Sequence, residues 1–309
     1  MPGRPCALRA ACGTLRVMRE ELRMTFDPRT TPARPDLAAQ HLQGKVTAAR
    51  FVAGTELEVR DAQAPVRREP APDAPLDTEA LHGERVTIYD QNGEGWCWGQ
   101  LGSDGYVGWI PANALCPPGP PPTHRVAALR TFVFPGRSIK APPVDALSLG
   151  SRVAVKAQQR DPLGELTDLA SGFCIPSRHL APIESTEPDF VAVAERFVGV
   201  PYLWGGKTSL GLDCSGLVQI ALTASGVACP RDSDMQERAL GAAVPVDDLA
   251  GLRRGDLMFW KGHVAIVCDE RSIVHANAFH MAVAVEPIGE ALRRIADAGS
   301  HVTSIKRFT

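Results

Sequence analysis

Apolar and polar positions repeat with two different periods along this chain, and the change of period divides it. Between residues 84 and 110 the period is two. Glu84-Arg85-Val86-Thr87-Ile88-Tyr89 alternates as a half-buried strand does. Residues 96–101 and 106–110 read as two further strands, set off by turns at Asn92-Gly93-Glu94-Gly95 and Ser103-Asp104-Gly105. Short strands joined by tight glycine turns predict a small barrel. Beyond Pro188 the period lengthens. Phe190, Val193, Ala194 and Phe197 lie at helical spacing, and Gly199 closes that helix. Leu217, Ile220, Ala221 and Ala224 repeat the pattern, with Asp213 placed to cap the start and Gly226 to end it. Three strands are then expected, at 255–260, 262–268 and 272–277, the last two joined by a turn at Asp269-Glu270-Arg271.

Proline marks the boundaries. Pro117-Pro118-Gly119-Pro120-Pro121-Pro122 continues neither a helix nor a central strand and reads as a stiff linker. A second break falls at 182–188. The chain therefore divides into a tail (1–35), a first module (36–116), the linker (117–122), a second module (123–183) and a C-terminal domain (188–309). In the second module, residues 151–156 and 172–176 fill strand positions, and His179-Leu180-Ala181-Pro182 echoes Asn113-Ala114-Leu115. It reads as a degenerate copy of the first. The N-terminal stretch carries Arg4, Arg9 and Arg16 where a secretory signal needs an unbroken apolar run. The tail is expected to be disordered, or to precede a true start at Met24.

The formal net charge of -2 provides no global attraction to nucleic acid or to an anionic membrane, and no apolar run is long enough to span a bilayer. None of the eight cysteines forms a C-x-x-C pair, so neither a zinc cage nor a redox dithiol is expected, and no cofactor is called for. Scattered thiols fit a reducing cytoplasm, with a periplasmic location the alternative if the start is misassigned.

Cys214 follows the candidate cap Asp213 and falls in the first turn of its helix. Unpaired N–H groups there favour negative charge, so a lowered thiol pKa and a reactive thiolate are expected. Ser215 and Gly216 are small and are expected to let a substrate approach. His263 and His275 lie six residues either side of Asp269. A hairpin centred on Asp269 sets them directly opposite one another, with Cβ atoms about 4.5–5.5 Å apart. His275 would then orient the His263 ring, and His263 would serve Cys214 as base. His280 and His301 have no such arrangement.

With these motifs on the page the chain resembles a known family. Pro201-Tyr202-x-Trp204-Gly205-Gly206, Asp213-Cys214-Ser215-Gly216-Leu217-Val218, Arg231-Asp232-Ser233, and Gly255-Asp256-Leu257 ahead of Gly262-His263-Val264-Ala265-Ile266 look like the NlpC-type cell-wall cysteine peptidases. The strand Gly105 to Ile110 resembles that of bacterial SH3-like domains. The resemblance implies an α+β, papain-like catalytic domain behind two small all-β SH3-like barrels. It also implies Cys214 as nucleophile, His263 as base and His275 as the third polar residue. Tyr202, together with the Cys214 N–H, is implied at the oxyanion, and Trp204 in the same substrate-binding loop. Members with two such modules cut the γ-D-glutamyl–diamino acid bond of released murein peptides. By that likeness Asp232 and Ser233 hold the free amino group of the substrate's L-alanine, and Tyr106 closes the same end of the cleft. The implied partner is a murein-derived peptide, and the implied role is recycling of wall peptides. Two other readings share these residues: an amidase or acyltransferase on the same Cys-His framework, and a wall-peptide-binding module that has lost catalysis.

Overall fold

The computed structural model describes residues 26–156, 166–245 and 251–308. The expected tail falls largely outside them, Met24 included. Residues 26–35 are described, and they pack on the first module instead of trailing from it. Val107 donates its N–H to the Arg29 carbonyl at 2.8 Å, and the Gln100 amide reaches the Thr30 carbonyl, also at 2.8 Å. The Arg34 guanidinium lies over the Trp98 ring at 4.4 Å and near Trp109 at 5.0 Å. These cation–π contacts and the fully buried Leu37 fasten the segment to the barrel.

The first module is a seven-stranded antiparallel sheet. The three strands read from the sequence are present as Arg85–Gln91, Trp96–Leu101 and Val107–Pro111, hydrogen-bonded as sequential neighbours. Alternation carries Val86, Ile88, Cys97, Leu101 and Ile110 into one core. A one-turn 3₁₀ helix, Ala112–Ala114, leads into the closing strand Leu115–Cys116. The second module ends the same way, with Ser177–His179 leading into Leu180–Pro182. Its strands are shorter, and its own small core gathers Val126, Val133, Leu147, Val153, Leu169 and Ile175.

Among the described residues of the C-terminal domain, the α-helices α1 (Phe190–Glu195), α2 (Cys214–Ala224), α3 (Ser233–Ala239) and α4 (Ile288–Asp297) accompany a six-stranded antiparallel sheet. The sheet order is 242–244, 302–307, 257–260, 263–267, 272–277, 282–287. One face packs on α1 and α2 through Val264, Ile266, Val274 and Ala276. The other packs on α4 through Ala265, Val267 and Ile273. Helix α2 is buried on nearly every side, and its buried residues are small or aliphatic apart from Gln219. Among the described residues no helix is long and apolar enough to cross a membrane, and Cys97, Cys116, Cys174, Cys214, Cys229 and Cys268 are free thiols.

The first module is joined to the C-terminal domain by polar contacts and by Leu81, which enters that domain's apolar core. Lys207 N donates to Glu79 Oε2 at 2.9 Å, Gln219 Nε2 to Asp104 Oδ2 at 2.8 Å, and Arg231 Nε to Thr78 Oγ1 at 2.9 Å. Gly205 sits at φ +76°, and a Cβ on it would lie 2.5 Å from the Leu76 carbonyl. Only glycine allows the two backbones to meet there.

Candidate active site

Asp213 sets the start of α2. Its backbone is extended, and its Oδ1 accepts the Gly216 N–H at 2.7 Å, as the capping argument expects. Its Oδ2 accepts the Gly205 N–H at 2.8 Å, so one carboxylate ties the Trp204-Gly205-Gly206 loop to the helix. Arg231 grips both oxygens, at 2.9 and 2.8 Å, and reaches Ser215 Oγ and the Gly206 carbonyl as well. Gly216 is small for a reason other than substrate access. A Cβ there would lie 2.3 Å from the Gly206 carbonyl, so its role is close packing of the loop on α2.

Cys214 thus stands at the helix start with its sulfur near the Val264 and Ser215 amides. The expected lowered pKa is not what this environment gives. Burial pushes the thiol up to about 12, Asp213 adds to the effect, and the two amides and Arg231 oppose it without reversing it. Loss of water around the sulfur outweighs the partial charge of the helix terminus. Burial likewise pushes His263 down to about 3, with His275 and Arg294 acting in the same sense. Thiol and imidazole are both neutral at rest.

The hairpin register also differs from expectation. Ile266 pairs with Val274 and Val267 with Ile273, so the turn centres on Glu270. Asp269 Oδ1 accepts the N–H groups of Arg271 and Ser272, which shapes that turn. Extended by one residue, the register puts His275 opposite Ala265. His263 is then the diagonal neighbour two residues along. A two-residue shift keeps both side chains on one face, and the rings still meet, with His263 Nε2 2.8 Å from His275 Nδ1.

The relay continues to a residue that the sequence pattern did not single out. His275 Nε2 lies 2.6 Å from Glu286 Oε1, and Arg294 of α4 holds both Glu286 oxygens, at 2.9 and 2.6 Å. Burial alone would raise Glu286, but the His275 bond, with Arg294, holds it below the usual carboxylate range. The proton positions follow from this network. The Glu286 carboxylate accepts, so His275 carries its proton on Nε2. His275 Nδ1 is then an acceptor, and His263 must carry its proton on Nε2. That leaves His263 Nδ1 with a free lone pair. Glu286 is marked in the sequence only as a lone charge in the apolar run Ala282-Val283-Ala284-Val285. His280 adds a third ligand atom near His275 and Glu286, all within 4.8 Å of one another. Arg294 already supplies positive charge at that carboxylate, which disfavours a metal ion there.

One cleft of about 270 Å³ joins Cys214 and Gly262, the neighbour of His263, to Asp232, Ser233, Tyr106, Tyr202 and Trp204. Trp204 is largely exposed at its rim. Burial, then Cys214 and Asp213, push Tyr202 up to about 12, so its O–H remains a donor beside the sulfur. Asp232 precedes α3 but makes no cap bond. Instead its Oδ2 accepts from Tyr106 Oη at 3.2 Å and from Arg29 Nη1 at 2.8 Å. Burial raises Asp232, and Arg231, Arg29 and Tyr106 counteract it. Arg29 had no place in the sequence reading, because its partners lie more than 200 residues away.

Comparison with known proteins agrees with both halves of this architecture. Residues 66–115 match the bacterial dipeptidyl-peptidase SH3 domain, and residues 199–293 match the NlpC/P60 family. A gamma-D-glutamyl-L-lysine dipeptidyl-peptidase of Bacillus cereus is 28% identical over 245 residues, covering 69% of this chain and 71% of that protein. The protein of the same name from Bacillus subtilis is 30% identical over 196 residues, covering 60% of this chain and 64% of its own length. A solved structure of an NlpC/P60 family protein from Bacillus cereus superposes with a TM-score of 0.69 over 82% of this chain and 99% of the other, at 21% identity. At that identity the superposition speaks for the fold alone. The buried helix-start cysteine and the histidine relay lie within the stretch that matches the NlpC/P60 family, so this chain joins an SH3-like domain to an NlpC/P60 domain.

Proposed function

We propose that this protein is a cysteine peptidase that hydrolyses the γ-D-glutamyl–diamino acid bond of free wall peptides of the form L-Ala-γ-D-Glu-diamino acid. One observation carries the reading: a single cleft joins the Cys214 thiol to a carboxylate, Asp232, suited to an ammonium group. The likeness to the two γ-D-glutamyl-L-lysine dipeptidyl-peptidases supports the bond that is cut.

The chemistry follows from the neutral pair. As Cys214 Sγ bonds to the γ-carbonyl carbon, its proton passes to His263 Nδ1. The Tyr202 O–H is suited to the developing oxyanion. The imidazolium returns the proton to the diamino acid nitrogen, which leaves as an amine. Water, deprotonated by the again-neutral His263, then opens the thioester and frees L-Ala-D-Glu and the thiol. Only a substrate with a free amino terminus presents an ammonium to Asp232. A role in recycling released peptides rather than cutting intact wall follows from that preference.

The test is direct. Incubation with L-Ala-γ-D-Glu-L-Lys, or its diaminopimelate counterpart, yields L-Ala-D-Glu and the free diamino acid by mass spectrometry. Acetylating the alanine nitrogen removes a charge-assisted bond and lowers kcat/KM by about 10–100-fold. Equal turnover of both forms, or no cleavage of either, sinks the proposal.

Glu286→Gln tests the relay. A glutamine either accepts from or donates to His275, so the tautomer of both rings is no longer imposed. We expect kcat to fall about 10–100-fold with KM little changed. An unchanged kcat would mean that the carboxylate does not orient His263.

A further inference from the structure

Arg29 lines the cleft, and the proposed chemistry gives it no role. All five of its N–H donors are engaged: Nε and Nη2 on Asp27, Nη1 on Asp232 and Asp234, and Nη2 again on Asp234, at 2.7–3.0 Å. No donor is left for a substrate carboxylate or carbonyl. A mobile plug is also excluded, because the Arg29 carbonyl and its neighbour Thr30 are bonded to the first module. What Arg29 does is hold one oxygen of Asp232. Among the described residues, Oδ1 of Asp232 takes no hydrogen bond, while Oδ2 takes those of Arg29 and Tyr106.

The local charge count points the same way. Asp77, Asp232 and Asp234 line this end of the cleft with Arg29 and Arg68, and Asp27 and Arg238 pair with them from outside it. Arg231 is neutralised by its pair with Asp213. Four carboxylates against three guanidiniums leave one negative charge, which matches one ammonium.

We propose that Arg29 is a positioning and specificity-determining residue: it pins Asp232 through Oδ2, turns Oδ1 toward the substrate, and trims the site's charge to fit a single ammonium. The inference rests on the reading that Asp232 receives the substrate's amino terminus. Because Arg29 comes from the segment ahead of the barrel, that segment and Tyr106 build the ammonium site jointly with the peptidase domain.

The pH dependence separates this role from simple fastening. Asp232 faces Arg231, Arg29 and Tyr106 directly, with Asp77, Asp234 and Arg68 near it. Burial already raises its pKa. Loss of the Arg29 charge raises it further, so the carboxylate is protonated at a higher pH and ammonium binding is lost earlier on acidification. The ratio of kcat/KM for the free tripeptide to that for its N-acetyl form cancels steps common to both substrates. His263, held down to about 3, stays neutral over the range used.

We therefore measure that ratio from pH 5 to 8 in wild type, Arg29→Gln, Arg29→Lys and Asp232→Asn. In R29Q the ratio falls about tenfold at pH 6, and its acid midpoint moves up by about one unit. R29K keeps the charge but has only three donors, so its ratio falls less and its midpoint stays within a few tenths of a unit of wild type. D232N loses the preference at every pH. If R29Q and R29K both keep the wild-type ratio and midpoint, whatever their melting temperatures, Arg29 merely fastens the segment and the inference falls. If R29Q does not fold, an R29K ratio as low as that of D232N at every pH overturns it equally. A wild type with no preference for the free amine instead overturns the reading of Asp232 itself.

Discussion

Replacing Cys214 by alanine abolishes tripeptide hydrolysis, with kcat/KM falling on the order of 10⁴-fold or more. Among the described residues the Cys214 sulfur lines the cleft beside Gly262, the neighbour of His263, which opens the His263-His275-Glu286 relay. His263→Ala should be nearly as damaging, and for a reason specific to this site. A thiol held up by burial is almost wholly protonated at pH 7. With no base to take the proton during attack, the small residue of thiolate is all that remains. The two substitutions act on one step, so the double variant should be no worse than either alone. Rates on the free tripeptide by chromatography, with circular dichroism to confirm folding, decide the matter. Retention of more than a few per cent of wild-type activity in C214A would remove the thiol from the mechanism. Iodoacetamide gives a second check, since Cys214 in H263A should alkylate no faster than an ordinary buried thiol.

What was legible in the sequence was what local pattern encodes. Period two between residues 84 and 110 located three barrel strands, and period 3.6 located α1 and α2. The motifs around Cys214 and His263 lie on short stretches whose geometry is fixed by neighbours in sequence. The failures share a cause as well. The pairing of His263 with His275 was placed two residues out of register because the turn is centred by the Asp269 side chain, not by its midpoint in sequence. The thiol pKa was misjudged because the helix start is visible in sequence and the burial around it is not. Glu286 and Arg29 escaped, and Arg231 was legible only as part of a motif, because each acts through partners on distant elements. Arg29 meets Asp232 only after the barrel has docked on the peptidase domain, and no periodicity in the first 35 residues announces that.

Arg231→Met should cost the most stability of any single change at this site. The guanidinium is almost fully buried, and its five bonds connect Asp213, Ser215 and the Gly206 carbonyl with Thr78 of the first module. Removing one partner of a buried, hydrogen-bonded ion pair leaves the other charge uncompensated, at about 3–5 kcal/mol. Domains have about 5–15 kcal/mol in total, so the melting temperature should fall on the order of 10 °C. Arg231→Lys does not rescue it, because an ammonium cannot span both Asp213 oxygens and Thr78 at once. Removing both charges often restores stability in buried pairs. Here it should not, because the Asp213 carboxylate also accepts from Gly216 and Gly205. The double variant R231M/D213L therefore loses the α2 cap and the loop anchor together, and should melt no higher than R231M. Calorimetry on the three variants separates the possibilities. A double variant as stable as wild type would show that Arg231 serves only to neutralise Asp213. A double variant no better than R231M would show that this pair holds Cys214 at its helix start by geometry, with the charges needed to fix the loop, the helix and the first module in one arrangement.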